Sequence, residues 1–169
     1  MNPKTIVGVD MVKVLVVYDS RTGHTEKMAF AVAEGAKQIS GVEVVVKKVD
    51  QTSLEDLLNA NGIIVGSPTY YGQMSAKLKG FIDESVKIHG KLEGKVGAAF
   101  TSSGGTATGA ETTLLSILEA MLVHGMIVQG RAHSKHYGAA AVGSPREKEL
   151  ESCKELGKRA TSLLTKLKA

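Results

Sequence analysis

Residues 14–25, which read VLVVYDSRTGHT, change abruptly from apolar to polar. The four apolar residues at 14–17 are mostly β-branched, which is typical of a strand buried on both faces of a parallel sheet. Hydroxyl-bearing residues and a glycine follow, just before a helical pattern that starts near Glu26. Such a loop collects O–H groups and free backbone N–H groups at the positive end of a helix. It is either an anion site, most obviously for phosphate, or an ordinary helix N-cap.

The composition indicates one domain with a full-sized core. Of the 169 residues, 43% are apolar and 22% are charged, which excludes a disordered polyelectrolyte. The net charge is +4, but Lys and Arg form no dense cluster along the chain and Trp is absent, so nucleic-acid binding has little support. We expect residues 1–10 to be an N-terminal extension and residues 11–169 to form the domain.

Cysteine usage and hydropathy predict a cytoplasmic protein. The single cysteine, Cys153, excludes an internal disulfide and suits a reducing compartment. It lies in a helical apolar stripe, so we expect it to be a core residue. No apolar run reaches the roughly 20 residues that a membrane span needs, and we expect no membrane insertion. The five histidines show no metal-ligand spacing, and we expect no metal site.

Strand and helix patterns alternate along the rest of the chain. Apolar runs predict four further strands, at residues 42–49, 63–66, 96–101 and 126–128. Residues 129–143 are glycine-rich, and residues 139–142 either extend a strand or belong to an irregular segment. A capping box at residues 53–56 and a Ser-Pro-Arg-Glu start at 144–147 predict two of the helices.

This alternation predicts an α/β doubly wound fold with a five-stranded parallel sheet in the order 2-1-3-4-5, with helices on both faces. Three unusual loops follow the first, third and fourth predicted strands. Because the carboxyl ends of parallel strands meet at one edge of the sheet, we expect all three loops to surround one site.

The second loop combines proline, aromatic rings and glycine in Pro68-Thr69-Tyr70-Tyr71-Gly72. One tyrosine can border a planar ligand, and the other is expected to pack on the following helix. Gly72 either reorients a peptide beside a ligand or is an ordinary turn glycine.

The third loop, residues 102–106, is small and hydroxyl-rich, so its backbone can approach a ring edge. By itself it also fits a flexible surface turn. A ligand with a phosphate at one end and a flat heterocycle at the other suits all three loops, and flavin mononucleotide (FMN) is such a molecule.

The first loop resembles the phosphate loop of flavodoxins. A larger resemblance, over about residues 11–167, is to the flavodoxin-like NAD(P)H:quinone oxidoreductases of the tryptophan-repressor-binding-protein (WrbA) type. The similar segments are Gly23-His24, AVAEG at 31–35, Pro68-Thr69 with Gly72 and Met74-Ser75, residues 100–105, and His124-Gly125-Met126.

The resemblance implies a flavodoxin-like fold, bound FMN, and NAD(P)H as a possible electron donor to quinone-like acceptors. The flavin would carry the chemistry, so no catalytic side chain is implied. Thr22 would face the nicotinamide cofactor, and His124 would lie near the flavin. The implied cofactor-binding residues are Ser20, Arg21, Thr22, Gly23, His24, Thr25, Pro68, Thr69, Tyr70, Tyr71, Gly72, Ser102, Ser103, Gly104, Gly105, Thr106, Ala107 and His124.

Two departures from the quinone reductases leave alternatives open. The connection at residues 49–61 is short, and Lys87-Ile88-His89 stands about where those enzymes place a tryptophan over the flavin. A homo-oligomer is therefore possible but not implied. The alternative function is a flavodoxin proper, which carries single electrons between redox protein partners. A third is a non-catalytic flavin-binding interaction protein.

Overall fold

The computed structural model describes residues 11–168, so the expected extension at residues 1–10 lies outside the described part. The described residues alternate between strands and helices. In chain order they are β1 Val12–Tyr18, α1 His24–Ala36, β2 Val42–Lys48, α2 Leu54–Asn59, β3 Gly62–Pro68, α3 Ala76–Glu84, β4 Val96–Ser103, α4 Ala110–Val123, β5 Ile127–Val128, β6 Ala139–Val142 and α5 Glu147–Lys168. Short 3-10 helices follow β2, at Val49–Gln51, and α3, at Ser85–Ile88.

The sheet is parallel and has the order β2-β1-β3-β4-β5, which confirms the predicted topology. The position beside β4 is filled by two short strands in line. β5 pairs with the start of β4, at Val96 and Gly97, and β6 pairs with its last four residues. Residues 129–138 connect these two pieces of the edge strand.

The two faces of the sheet carry two separate apolar layers. Along β1, Val14 and Val16 face the layer of α1 and α5, whereas Leu15 and Val17 face the layer of α2, α3 and α4. All four side chains are at most 1% exposed. This burial on both faces explains the unbroken apolar run that marks β1 in the sequence.

Two glycines set the distance between α1 and α5. A Cβ atom at Gly35 would lie 1.8 Å from Lys154 O, and one at Gly157 would lie 1.9 Å from Val32 O. No larger residue fits at either position without separating the helices.

Cys153 lies in the same layer with no exposed surface, and burial raises the pKa of its thiol to about 12. It is a core residue, as predicted.

The helix starts follow the sequence signals with one shift. Ser53 and Asp56 form the predicted reciprocal capping box of α2. The last helix begins at Glu147, later than the Ser-Pro-Arg-Glu signal indicates. Its acidic cap is Glu149, whose Oε2 accepts from Arg146 N at 3.0 Å.

None of the described helices combines the length and the apolar character needed to cross a bilayer.

Candidate functional site

The three loops after β1, β3 and β4 are in direct contact at the carboxyl edge of the sheet. The hydroxyls of Thr25 and Ser102 form a buried hydrogen bond of 2.8 Å between the first and third loops. Thr69 N donates to Ser102 O at 2.7 Å, which joins the second loop to the third. Asp19 N donates to Gly66 O at 3.1 Å, which joins the start of the first loop to β3, the strand that leads into the second loop. The convergence predicted from the sequence is therefore present.

The first loop leads into an uncapped helix N-terminus. Gly23 occupies the N-cap position of α1 with φ 84°, and no side chain caps the helix. Gly23 N is satisfied by Ser20 Oγ at 3.1 Å, but the first N–H groups inside the helix have no intrahelical acceptor. Thr22 and Arg21 are exposed beside them. These free N–H groups and the helix dipole favour an anion at this point.

The second loop is a tight reversed turn. Tyr70 and Gln73 exchange two backbone hydrogen bonds of 3.0 Å, and both central residues are left-handed, with φ 49° at Tyr71 and φ 74° at Gly72. This is the pattern of a type I′ turn. A positive φ is uncommon for a bulky aromatic residue. The turn leaves the Tyr71 ring fully exposed, while Tyr70 is more shielded, at 38% exposure.

A chain of hydroxyls fixes the second loop to the sheet. Ser67 Oγ donates to Pro68 O at 2.8 Å and accepts from Ser75 N at 2.8 Å. Thr101 Oγ1 donates to Ser67 O at 2.7 Å, so its single hydrogen is used. The 3.0 Å bond between Thr69 Oγ1 and Thr101 Oγ1 must then have Thr69 as its donor. Thr69 therefore offers a ligand only acceptor lone pairs.

The third loop touches the second at two glycines. A Cβ atom at Gly109, which has φ 99°, would lie 2.5 Å from Gly72 Cα. Ser103 Oγ donates to Gly105 O at 3.0 Å and folds the start of the loop back on itself. Ala107 is also left-handed, with φ 56°. The predicted residues Gly104, Thr106 and Ala107 are exposed, and Gly105 is partly so.

Three predicted loop residues belong to strands instead. Pro68 ends β3 and pairs with Ser102, and Ser102 and Ser103 end β4. All three are buried. The strand β4 continues past its apolar run because β6 pairs with it there, and Gly143 N also donates to Ser103 O at 2.8 Å. His24 and Thr25, predicted as loop residues, are the first two residues of α1.

His124 does not lie with the loops within one chain. It follows the last residue of α4, whose first residue is next to the third loop. A 14-residue helix spans about 20 Å, since each residue rises about 1.5 Å. His124 therefore lies at the far end of α4 from the third loop within this chain. A contact between His124 and the cofactor stays a prediction.

The surroundings of His124 explain its role. Ser85 Oγ donates to Ile82 O at 2.6 Å, so the 2.7 Å bond between Ser85 Oγ and His124 Nε2 has the imidazole as donor. Burial and then the nearby His89 ring lower the pKa of His124. The imidazole joins α4 to the 3-10 helix after α3.

Several structural residues of the site were missed by the sequence patterns. Ser67 and Thr101 are fully buried hydroxyls that hold the second loop, and Gly109 makes room for it. In the sequence, only the position of these three residues next to the predicted loops indicated that they belong to the site. Within residues 11–168, no three His, Cys, Asp or Glu side chains are grouped so as to hold a metal ion.

The comparison with known proteins agrees with this geometry. A family model described as Flavodoxin matches residues 16–107, just over half of the chain, and this range contains all three loops. The chain belongs to the flavodoxin family.

Its relatives carry two different descriptions. A protein of Aquifex aeolicus named Flavodoxin is 46% identical over 88% of this chain and 85% of its own length. A protein of Archaeoglobus fulgidus named NAD(P)H dehydrogenase (quinone) is 39% identical over 93% of this chain and 100% of its own length. A solved WrbA-like flavodoxin from Agrobacterium tumefaciens is 29% identical, covers 92% of this chain and 98% of its own, and has a TM-score of 0.80.

Proposed function

We propose that this flavodoxin-family chain binds FMN and reduces quinone-like acceptors with electrons from NAD(P)H. The observation that carries the proposal is the contact of an uncapped helix N-terminus with two loops built for a flat ring. One end of the site suits a phosphate dianion, and the other suits a planar heterocycle with N–H and carbonyl groups at its edge.

The residues of the first loop fit the phosphate. Ser20 and Thr22 supply hydroxyls, and the first N–H groups of α1 supply donors without a side-chain competitor. The helix dipole adds a favourable interaction with the negative charge. Thr25 has a different role, because the residue is only 1% exposed and its hydroxyl is bonded to Ser102. It holds the first and third loops together.

The second and third loops fit the ring. Thr69 presents lone pairs only, so it suits a ring N–H and not a ring carbonyl. The small residues at 104–107 allow their backbone amides to come close to a ring edge. Tyr71, exposed on its turn, supplies a flat surface that can cover one face of the ring.

FMN would supply the redox chemistry, and the residues of the chain would position it and control access to it. The chain has no tryptophan to cover the ring. Tyr71 lies on a two-residue turn, so its side chain can leave room for a nicotinamide or quinone. Reacting atoms need to approach to about 3–3.5 Å, which requires such an open face.

The second candidate function is single-electron transfer between redox proteins. It is favoured by the relative named Flavodoxin, which has the higher identity of the two named above. A carrier needs only an exposed ring edge, whereas the enzyme needs an accessible ring face. The two functions therefore differ in whether a small donor reaches the site.

Absorbance spectroscopy separates these functions. We expect anaerobic NAD(P)H to bleach the visible spectrum of the FMN-loaded protein, and benzoquinone to restore it over repeated turnovers. We also expect Tyr71→Ala to change the rate of NAD(P)H oxidation more than it changes FMN affinity. Tyr137→Ala is the matched control, because Tyr137 is 45% exposed but outside the three loops.

One result would contradict the enzyme proposal, and a second would contradict the role of Tyr71. One is an FMN-loaded protein that stays oxidised with both NADH and NADPH yet cycles readily with a reductase partner. That result would establish the carrier. The other is an equal effect of Tyr71→Ala and Tyr137→Ala on turnover, which would remove Tyr71 from the site.

A further inference from the structure

A second cavity lies between α5 and the 129–138 segment that connects β5 to β6. Its volume is about 380 Å³, within the range of small-molecule sites. Among the described residues that line it, none belongs to the three loops. The lining contains five cationic side chains and one carboxylate, Glu155. We call this the basic cavity and define it by Arg131, Lys135, Lys158, Arg159 and Lys166.

The fold creates this concentration of charge. Along the sequence the five cations are spread over 36 positions and form no dense cluster. In the structure, three come from α5 and two from the 129–138 segment that packs against it. The cavity lining carries a net formal charge of +4, which equals the net charge of the whole chain. The excess positive charge of the chain is therefore matched by the charge of this cavity lining alone.

Glu155 holds Arg131 in a fixed orientation. The two side chains form a bidentate pair, with Nη1 to Oε2 at 2.5 Å and Nη2 to Oε1 at 3.0 Å. A paired guanidinium of this kind keeps its remaining N–H donors in a defined plane. Glu155 neutralises one of the five cations, and the other four have no carboxylate in the cavity lining.

Arg159 is anchored to the backbone of the 129–138 segment. It is half-buried, and its Nη1 donates to Gly130 O at 3.2 Å. Burial lowers the pKa of Arg159, and the neighbouring Arg131 lowers it further. A guanidinium nevertheless stays charged in proteins. An anion in the cavity would satisfy its free N–H donors and offset the repulsion between the two arginines.

The lining of the basic cavity also contains apolar residues. These are Ile39, Leu156 and Leu163, together with Gly138 and Ala139. A bare inorganic ion would use only the charged side chains. A molecule with a compact apolar or aromatic body could bury that body against the apolar residues while its charged group meets the cations.

We propose that the basic cavity binds a small organic phosphate, whose phosphate contacts Arg131, Arg159 and Lys158 and whose body packs on Ile39 and Leu163. This site is separate from the redox site and does not depend on the proposed function. It gives the chain a second ligand site, distinct from the site proposed for FMN.

Calorimetric titration of the FMN-saturated protein with ADP tests the proposal, with adenosine as the probe that lacks phosphate. We expect ADP to bind with one-to-one saturation and adenosine to bind at least tenfold more weakly. Arg159→Gln should weaken ADP binding by about tenfold or more, because hydrogen bonds between charged partners are strong. Lys158→Gln removes an exposed charge of the cavity lining without touching the core and should weaken binding severalfold.

Two control variants distinguish binding in the basic cavity from binding elsewhere on the chain. Lys91→Gln removes an exposed cation outside the cavity and should leave ADP binding unchanged. Thr22→Val alters the first loop and should also leave it unchanged, whether or not that loop binds FMN. Absence of saturable ADP binding would overturn the proposal. So would equal losses in Lys91→Gln and Lys158→Gln, which would indicate only general electrostatic attraction, or a loss in Thr22→Val, which would place ADP in the first loop.

Discussion

Two threonines of the first loop have opposite surroundings. Thr22 is exposed beside the free N–H groups of α1, whereas Thr25 is buried and bonded to Ser102. The same substitution at the two positions should therefore affect different properties, ligand affinity at Thr22 and stability at Thr25.

Thr22→Val should weaken FMN binding by roughly tenfold or more. A hydroxyl bonded to a phosphate dianion contributes on the order of 1.5–3 kcal/mol, and valine keeps the shape while removing the hydroxyl. Fluorescence titration of FMN with the apoprotein measures the change, and urea unfolding checks that stability is unaffected. An unchanged dissociation constant would remove Thr22 from the phosphate site.

Thr25→Val should lower the free energy of unfolding by about 1–3 kcal/mol, because it leaves the buried Ser102 hydroxyl without its partner. Urea denaturation of the apoprotein measures this loss directly. Thr25→Ser keeps the hydroxyl and is the control for the hydrogen bond. If the valine and serine variants are equally stable, the bond does not hold the loops together.

At the scale of elements, the Asp56 carboxylate joins α2 to β2, in addition to the apolar packing of Leu57. Asp56 accepts from Lys47 Nζ on β2 at 2.7 and 2.8 Å and from Ser53 N at 2.8 Å. The Lys47 hydrogen bond, followed by the Ser53 backbone, lowers the pKa of Asp56. The folded state therefore favours the ionised carboxylate. Its stabilisation is present above the unfolded pKa of about 3.9 and is lost as the pH falls through the lower folded value.

Asp56→Asn should cost about 0.5–1 kcal/mol of stability at pH 7, and the difference from the parent should shrink as the pH falls below about 4. Chemical denaturation at several pH values measures it. Asp83→Asn is a suitable control, since its pair with Lys79 is exposed and lies within one helix. A difference that stays constant down to pH 2 would show that the charge of Asp56 is not involved.

The central strands were predictable because their burial is visible in the sequence. β1, β3 and β4 are covered on both faces, so each appears as an apolar run. The end of β4 was not predictable in this way. Ser102 and Ser103 are polar and belong to the strand because Pro68 of β3 pairs with Ser102 and β6 pairs with both, and a local pattern does not show these partners.

The candidate site was predictable in outline but not in detail. Strand order places the three loops together, and that follows from the alternation of elements. The separate roles of Thr22 and Thr25 depend on which hydroxyl meets Ser102, which requires coordinates. The basic cavity could not be predicted from the sequence either, because α5 and the 129–138 segment come together only in the folded chain.

At the scale of the whole molecule, the fold separates two regions of different chemistry. The carboxyl edge of the sheet carries uncharged hydroxyls, amides and an exposed tyrosine, and the helix layer beside the edge strand carries the excess positive charge. Substitutions in one region should leave binding at the other unchanged, because the two sets of lining residues do not overlap.

The proposal that the carboxyl edge holds FMN is tested most directly by the identity of the cofactor. The first loop ends at one helix N-terminus and lacks the glycine fingerprint expected for a pyrophosphate. Mass spectrometry of the cofactor released by heat from the purified protein should identify FMN, and the apoprotein should bind FMN one-to-one and more tightly than FAD. Release of FAD as the dominant species, or an apoprotein that binds neither flavin, would contradict the assignment of the three loops.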